Sequence, residues 1–176
     1  MTHLAPIQCT SWGTHGTSGN NHIDYYISWG AAEIPEAQEH YTEKLFLLKT
    51  PPNTEYIEPR PQNLSRTNLG LPKDGALYFC PHRVSKYHPD FDFYLRDILA
   101  KDPLGHILLL LGSPSKATDK LKARIRRNIG TDLFCRVICL ARMGHKLYYQ
   151  FLSASTVILD SPYWAFANKY YTHYGC

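Results

Sequence analysis

The chain has 176 residues, the length of one ordinary domain, and its 44% hydrophobic and 19% charged content fits a globular protein with a sizeable core. A net charge of +4 is too mild to argue for nucleic acid. No run of roughly 18 apolar residues exists, so no membrane span is expected, and Met1-Thr2-His3-Leu4-Ala5-Pro6 lacks the charged and apolar regions of a signal peptide.

The segment up to about Leu48 is rich in Gly, Thr, Ser, His and aromatic residues. Within it Ile23 to Ser28 reads as a strand, Pro35 to Tyr41 as a short helix with proline in its first turn, and Leu45 to Leu48 as another strand. Lys49 to Lys73 holds Pro51, Pro52, Pro59, Pro61 and Pro72. Proline removes a backbone donor and fixes φ, so this stretch reads as a linker or surface crossing without regular structure. The domain boundaries expected are 1–48, a linker 49–73, and 74–176.

From Ala76 strands and helices alternate. Ala76 to Cys80, His106 to Leu111, Phe134 to Leu140 and Thr156 to Asp160 read as strands. Asp90 to Lys101, Ser115 to Asn128 and His145 to Ser153 have helical apolar spacing, and Pro162 onward reads as a further helix start. Such alternation implies an α/β fold, a parallel sheet covered by helices. Ligands in that architecture bind beyond the carboxyl ends of the strands. The rule selects Cys80 to Lys86, Gly112 to Ser115 and Asp160 to Asn168.

Three segments carry candidate chemistry. Trp12 to Gly19 places three glycines and three hydroxyl residues together, a composition that suits either an anion-cradling loop or a polar turn, without the ending of a Walker loop. Cys80-Pro81-His82-Arg83-Val84-Ser85-Lys86 puts Arg83 and Lys86 at a sheet edge, where fixed cations suit a diphosphate or are plain surface charges. Asp160 to Asn168 combines a helix start with bulky residues, and reads as a phosphate site or an aromatic corner.

Other features read as structural. Lys116, Lys120, Lys122, Arg124, Arg126 and Arg127 read as a solvated helix face. The nine histidines have no metal-ligand spacing, so no metal is expected. Cys9, Cys80, Cys135, Cys139 and Cys176 are odd in number and fit no disulfide scaffold. Cys135 and Cys139 are expected on one face of a strand, as buried thiols in a reducing cytoplasm.

Pro6-Ile7-Gln8-Cys9-Thr10-Ser11-Trp12-Gly13, Thr17-Ser18-Gly19, Ile23 to Ser28, Ala37 to Leu45, Phe79-Cys80-Pro81 and Lys86 to Asp92 follow one another along the chain. Taken in that order, these stretches resemble the O-GlcNAc transferase family, in the form found in bacteria with tetratricopeptide repeats. The similarity runs from about Leu4 to about Gly175. It implies a GT-B glycosyltransferase, with the end of a first Rossmann-like domain followed by most of a second. It implies UDP-GlcNAc or a related UDP-sugar as donor, a protein Ser, Thr or Asn as acceptor, and no cofactor or metal. No nucleic-acid or membrane partner is expected, and the compartment expected is the cytoplasm.

By the same resemblance, Lys86 matches the lysine that contacts the UDP diphosphate, and Arg83 a neighbouring donor position. Thr17, Ser18 and Gly19 match the loop near the sugar and phosphates, and Asp160 and Asn168 belong to the donor side. The sequence also departs from the family pattern. Thr14 and His15 stand where many bacterial members have His-Pro, so a histidine required in this loop would be His15, one position late. The histidine that the resemblance implies for catalysis lies in the part upstream of Leu4, and the catalytic residue is left unassigned. Phe166-Ala167-Asn168-Lys169 replaces a glycine-rich phosphate loop. The family's first domain begins upstream of Leu4 and its second continues beyond Cys176, so the 176-residue chain is expected to have little activity alone. These departures leave open a second reading, a degenerate non-catalytic nucleotide-binding or interaction module.

Overall fold

The computed structural model describes residues 4–13, 16–51 and 65–163. The chain divides into two compact units, Met1–Tyr56 and Ile57–Cys176.

In the first unit β1 (Cys9–Ser11), β2 (Tyr25–Trp29) and β3 (Lys44–Leu48) form a parallel sheet in that order. The short polar β1 has no strand pattern of its own. Pairing with β2 and a bond from Ser11 Oγ to the Ile27 carbonyl at 2.9 Å hold it. The helix expected over 35–41 is only a 3₁₀ turn, Ala37–His40. Ala37 is its buried residue, too little apolar contact to sustain a longer helix. Gln38 then anchors β3, accepting from Leu45 N at 2.8 Å and donating to Glu43 O at 3.0 Å.

The second unit runs β4 (Leu77–Cys80), α1 (Phe91–Lys101), β5 (His106–Gly112), α2 (Lys116–Ile129), α3 (Thr131–Phe134), β6 (Val137–Ala141), α4 (His145–Ala154) and β7 (Val157–Ile158). Its sheet is parallel throughout, in the order β6-β5-β4-β7. Side chains of a strand alternate between faces, and both faces are covered. Ile107, Leu109 and Leu111 join Cys80, Leu95, Leu121 and Ile125 on the α1 and α2 side. Leu108 joins Leu77, Phe79, Phe151 and Leu152 on the α4 side. Each fully buried side chain of this size stabilises by roughly 1.5–3 kcal/mol.

The helix starts and stops follow local chemistry. Ser115 and Thr118 cap α2 reciprocally, and Thr118, Leu121, Ile125 and Ile129 supply its buried stripe. Gly130 ends it at φ 90. The next turn, Thr131–Phe134, occupies the start of the expected strand, so β6 begins only at Val137. Cys135 therefore lies outside the strand, exposed, with Sγ donating to Asp132 O at 2.8 Å, while Cys139 is half-buried on β6. The two thiols do not share a strand face. Cys9 is also exposed, and Cys80 is buried.

The Pro-rich stretch is not featureless at its far end. Arg66–Leu69 forms a 3₁₀ turn, and Leu71 packs into the core with Leu77 and Phe79. The Arg66 guanidinium donates to Gly75 O at 2.7 Å, Ala154 O at 3.2 Å and Thr156 Oγ1 at 3.1 Å. These bonds build residues 65–71 into the second unit. The helix expected from Pro162 lies almost wholly outside the described residues. Among those residues, no helix is long and apolar enough to cross a membrane.

Candidate functional site

The chain moves from β4 to β5 to β6 in one direction and then returns to β7 on the opposite side of β4. The sheet reverses between β4 and β7, and a crevice opens where the loops leaving two such strands part. The loops concerned start at Pro81 and Leu159, so two of the three segments selected from the sequence meet here.

His82 bridges them. It is almost fully buried, and its Nε2 lies 3.2 Å from Leu159 O and 3.5 Å from Asp160 Oδ1. Asp160 Oδ1 also accepts from Ser161 N at 2.8 Å. A second bridge lies further out. Tyr163, at φ 73, donates its hydroxyl to Asp90 Oδ2 at 2.9 Å and packs edge-on against His88 at 4.8 Å between ring centroids. The Asp90 carboxylate holds the Tyr163 phenol above its ordinary value.

Arg83 immediately precedes the Val84–Lys86 3₁₀ turn and Lys86 ends it, with Lys86 N bonded to Arg83 O at 2.9 Å. Tyr87 anchors the turn from beneath, its hydroxyl donating to Cys80 O at 2.7 Å. Burial pushes the Tyr87 phenol well up and the Cys80 thiol up, so both stay protonated at neutral pH.

Arg83 lines two adjoining clefts, of about 740 and 510 Å³, together with Leu110, Arg142, Met143 and Tyr148. The larger also reaches Gly144, His145 and Tyr149, the smaller His82, Gly112 and Ser113. Gly144 opens α4 with no side-chain cap, and it lines the larger cleft with His145, so the start of the helix, where backbone N–H groups lack intrahelical partners, stands at that cleft. Two guanidinium groups, an imidazole and a helix start thus surround one space at the carboxyl edge of the sheet. An anion is what such a space attracts. Arg142, Gly144, His145 and Tyr148 were not among the residues selected from the sequence. The rule applied to β4, β5 and β7 points to them when applied to β6.

Thr17, Ser18 and Gly19 belong to the first unit. Their loop cradles an anion, and the anion is Glu43. Thr17 Oγ1 donates to Glu43 Oε2 at 2.7 Å, Ser18 N to Oε1 at 2.8 Å, and the Ser18 hydroxyl also to Oε1. The carboxylate is 1% exposed. Burial alone would raise its pKa, but the Ser18 and Thr17 bonds outweigh burial and bring it down to about 2. Gly19 N donates to Thr17 Oγ1 at 3.1 Å, closing the loop on itself. His15 and Asn168 lie outside the described residues. Among those residues, no group of three or more His, Cys, Asp or Glu is placed to hold a metal.

No protein-family model matches the chain, and no curated protein matches its sequence. Solved structures do match its fold. A mutant of the Thermobaculum terrenum O-GlcNAc transferase superposes with a TM-score of 0.74 at 19% identity, over 96% of this chain and 32% of that one. Sucrose-phosphate synthase from Thermosynechococcus elongatus gives 0.60 at 21% identity, over 82% and 37%. OtsA in its apo form gives 0.54 at 14%, over 87% and 43%. The architecture is therefore α/β with parallel sheets of the GT-B glycosyltransferase type. The chain spans about a third of the length of the O-GlcNAc transferase it resembles.

Proposed function

We propose that the chain is part of a glycosyltransferase that takes UDP-GlcNAc or a related UDP-sugar and transfers the sugar to a protein Ser or Thr hydroxyl or Asn amide, with protein cations in the place of a metal. The observation that carries this reading is the convergence of Arg83, Arg142 and His145 on one cleft beside the point of sheet reversal. Glycosyl transfer from a nucleotide sugar leaves charge on a departing diphosphate. Fixed guanidinium and ammonium groups that need no reorganisation stabilise that charge as it grows. Arg83 comes from the loop after β4, Arg142 and the start of α4 from the other wall, while Lys86, at the end of the turn after Arg83, does not line the cleft and is assigned to the donor by the family resemblance alone.

Asp160 has a different part. A carboxylate repels a diphosphate, so its place is toward donor hydroxyl groups, with His82 and Ser161 N fixing its direction. The ordered stretches from Pro6 to Asp92, which resemble O-GlcNAc transferases, support a GlcNAc donor over other sugars.

Calorimetric titration of the chain with UDP tests this reading. Saturable binding is expected, weakened at least about tenfold by Arg83→Ala, Arg142→Ala or Lys86→Ala, since each removes a charge-assisted bond. Unchanged affinity in all three removes the cleft from the donor site. The second reading, a non-catalytic module, has its own observation. The His82–Asp160 and Tyr163–Asp90 contacts bridge the crevice. Absence of UDP binding by the folded chain would favour it.

A further inference from the structure

A groove of about 810 Å³ runs along α2 and α3 to β6, away from the donor cleft. Lys122, Arg126, Arg127, Phe134 and Cys139 line it, and Asp119 is the carboxylate among its lining residues. We infer that β6 accepts an added strand here, an extended segment of a partner protein in which acidic side chains alternate with apolar ones.

The backbone supplies the first half of the argument. β6 ends the sheet order, and among the described residues no strand pairs with its outer side. In a doubly wound sheet that reverses beside its first strand, further strands extend the β7 side and leave the third strand at an edge. A parallel ladder alternates inward and outward groups. Ile107 N donates to Arg136 O at 3.0 Å, and Ile107 is paired with Val137. Hence the N–H and C=O groups of Val137 and Cys139 point away from β5. An exposed row of this kind takes an extended peptide.

Charge supplies the second half. Val137 and Cys139 belong to the sheet face covered by α1 and α2, whereas Ile138 and Leu140 belong to the α4 face. An added strand would present alternate side chains to the same two faces. On the α2 side they meet Lys122, Arg126 and Arg127. Arg126 is held there by stacking, its Cζ 4.7 Å from the Phe134 ring centroid. Lys122 and Arg126 also pull down the Cys139 thiol, which burial raises, so their field reaches the strand. On the α4 side the added residues meet Ile138 and Leu140. The matching segment is acidic at every second position and apolar between.

The same charges disfavour other occupants. Pairing two copies through β6 would bring two basic helices together. A nucleic acid would find Phe134 as the groove's aromatic ring, already covered by Arg126.

The test is fluorescence anisotropy with a labelled peptide of alternating Glu and Val, titrated with the full chain. Saturable binding is expected. Arg126→Glu with Arg127→Glu should weaken it at least about tenfold and should create binding to the Lys-for-Glu peptide. Cys139→Pro, which removes an outward N–H at a sheet edge, should weaken it while Cys139→Ala does not. Circular dichroism checks folding, and the charge reversal decides the matter if the proline variant unfolds. Equal affinity in the charge-reversed chain overturns the proposal. So does tighter binding of a single-stranded oligonucleotide at the same residues, or self-association through β6 in place of peptide binding. None of these outcomes depends on UDP.

Discussion

His82 Nε2 lies within 3.5 Å of Asp160 Oδ1 and 3.2 Å from Leu159 O, so a buried side chain from the loop after β4 ties down the loop after β7. The pair joins the two loops where the sheet reverses, and His82 also lines the smaller of the two clefts beside it. His82→Ala leaves the Leu159 carbonyl without this donor and should cost about 1–3 kcal/mol. Urea unfolding of the variant checks this. A midpoint equal to wild type would mean that the bridge contributes nothing.

Arg124 and Asp92 form a second tie, behind the site. Arg124 Nε and one terminal nitrogen each lie 2.9 Å from an Asp92 oxygen, and Asn128 Nδ2 donates to Asp92 at 2.8 Å. Arg124 also donates to Tyr87 O at 2.9 Å. One residue of the basic run thus faces inward and holds the end of the Lys86 turn to α2. Asp92 is 0% exposed, so Arg124→Ala strands a buried carboxylate on Asn128 alone. A loss of about 3–5 kcal/mol is expected in thermal or urea unfolding. Arg126→Ala, on the exposed side of the same helix, is the control and should change stability little.

Glu43 makes the first unit sensitive to acid. Its carboxyl titrates at about 2 when folded and at 4.5 when exposed. The unfolded state therefore takes up the proton first. The stabilisation is complete above pH 4.5 and is lost as pH falls toward about 2. Glu43→Gln should lower stability at neutral pH and flatten its slope across this window. Urea unfolding at a series of pH values, followed through Trp12 and Trp29 fluorescence, measures it. An unaltered slope would contradict the assignment.

Much of the second unit was legible because its residues satisfy local and global demands together. Leu121 and Ile125 fall on the buried stripe of α2 as their spacing requires, and the apolar Ile107 to Leu111 is covered on both faces. The misreadings have physical causes. β1 is a strand through its pairing with Tyr25 to Ile27, which its own polar residues do not encode. Gly130 at φ 90 starts an extra helical turn, which moves Cys135 off the strand. Part of the site was legible in the same way, since Arg83 and Asp160 follow apolar runs. Arg142 and His145 escaped because their loop holds no unusual composition, only a place after β6. Glu43 escaped because its partners Thr17 and Ser18 are distant in sequence and joined only by the sheet.

The cleft beside the β4–β7 reversal is proposed to hold the diphosphate of a UDP-sugar. A crystal structure of the chain grown with UDP puts this to the test. Diphosphate oxygens are expected within about 3 Å of Arg83, Lys86 or Arg142 nitrogens. UDP bound at a different surface, with all three side chains free of it, would overturn the proposal.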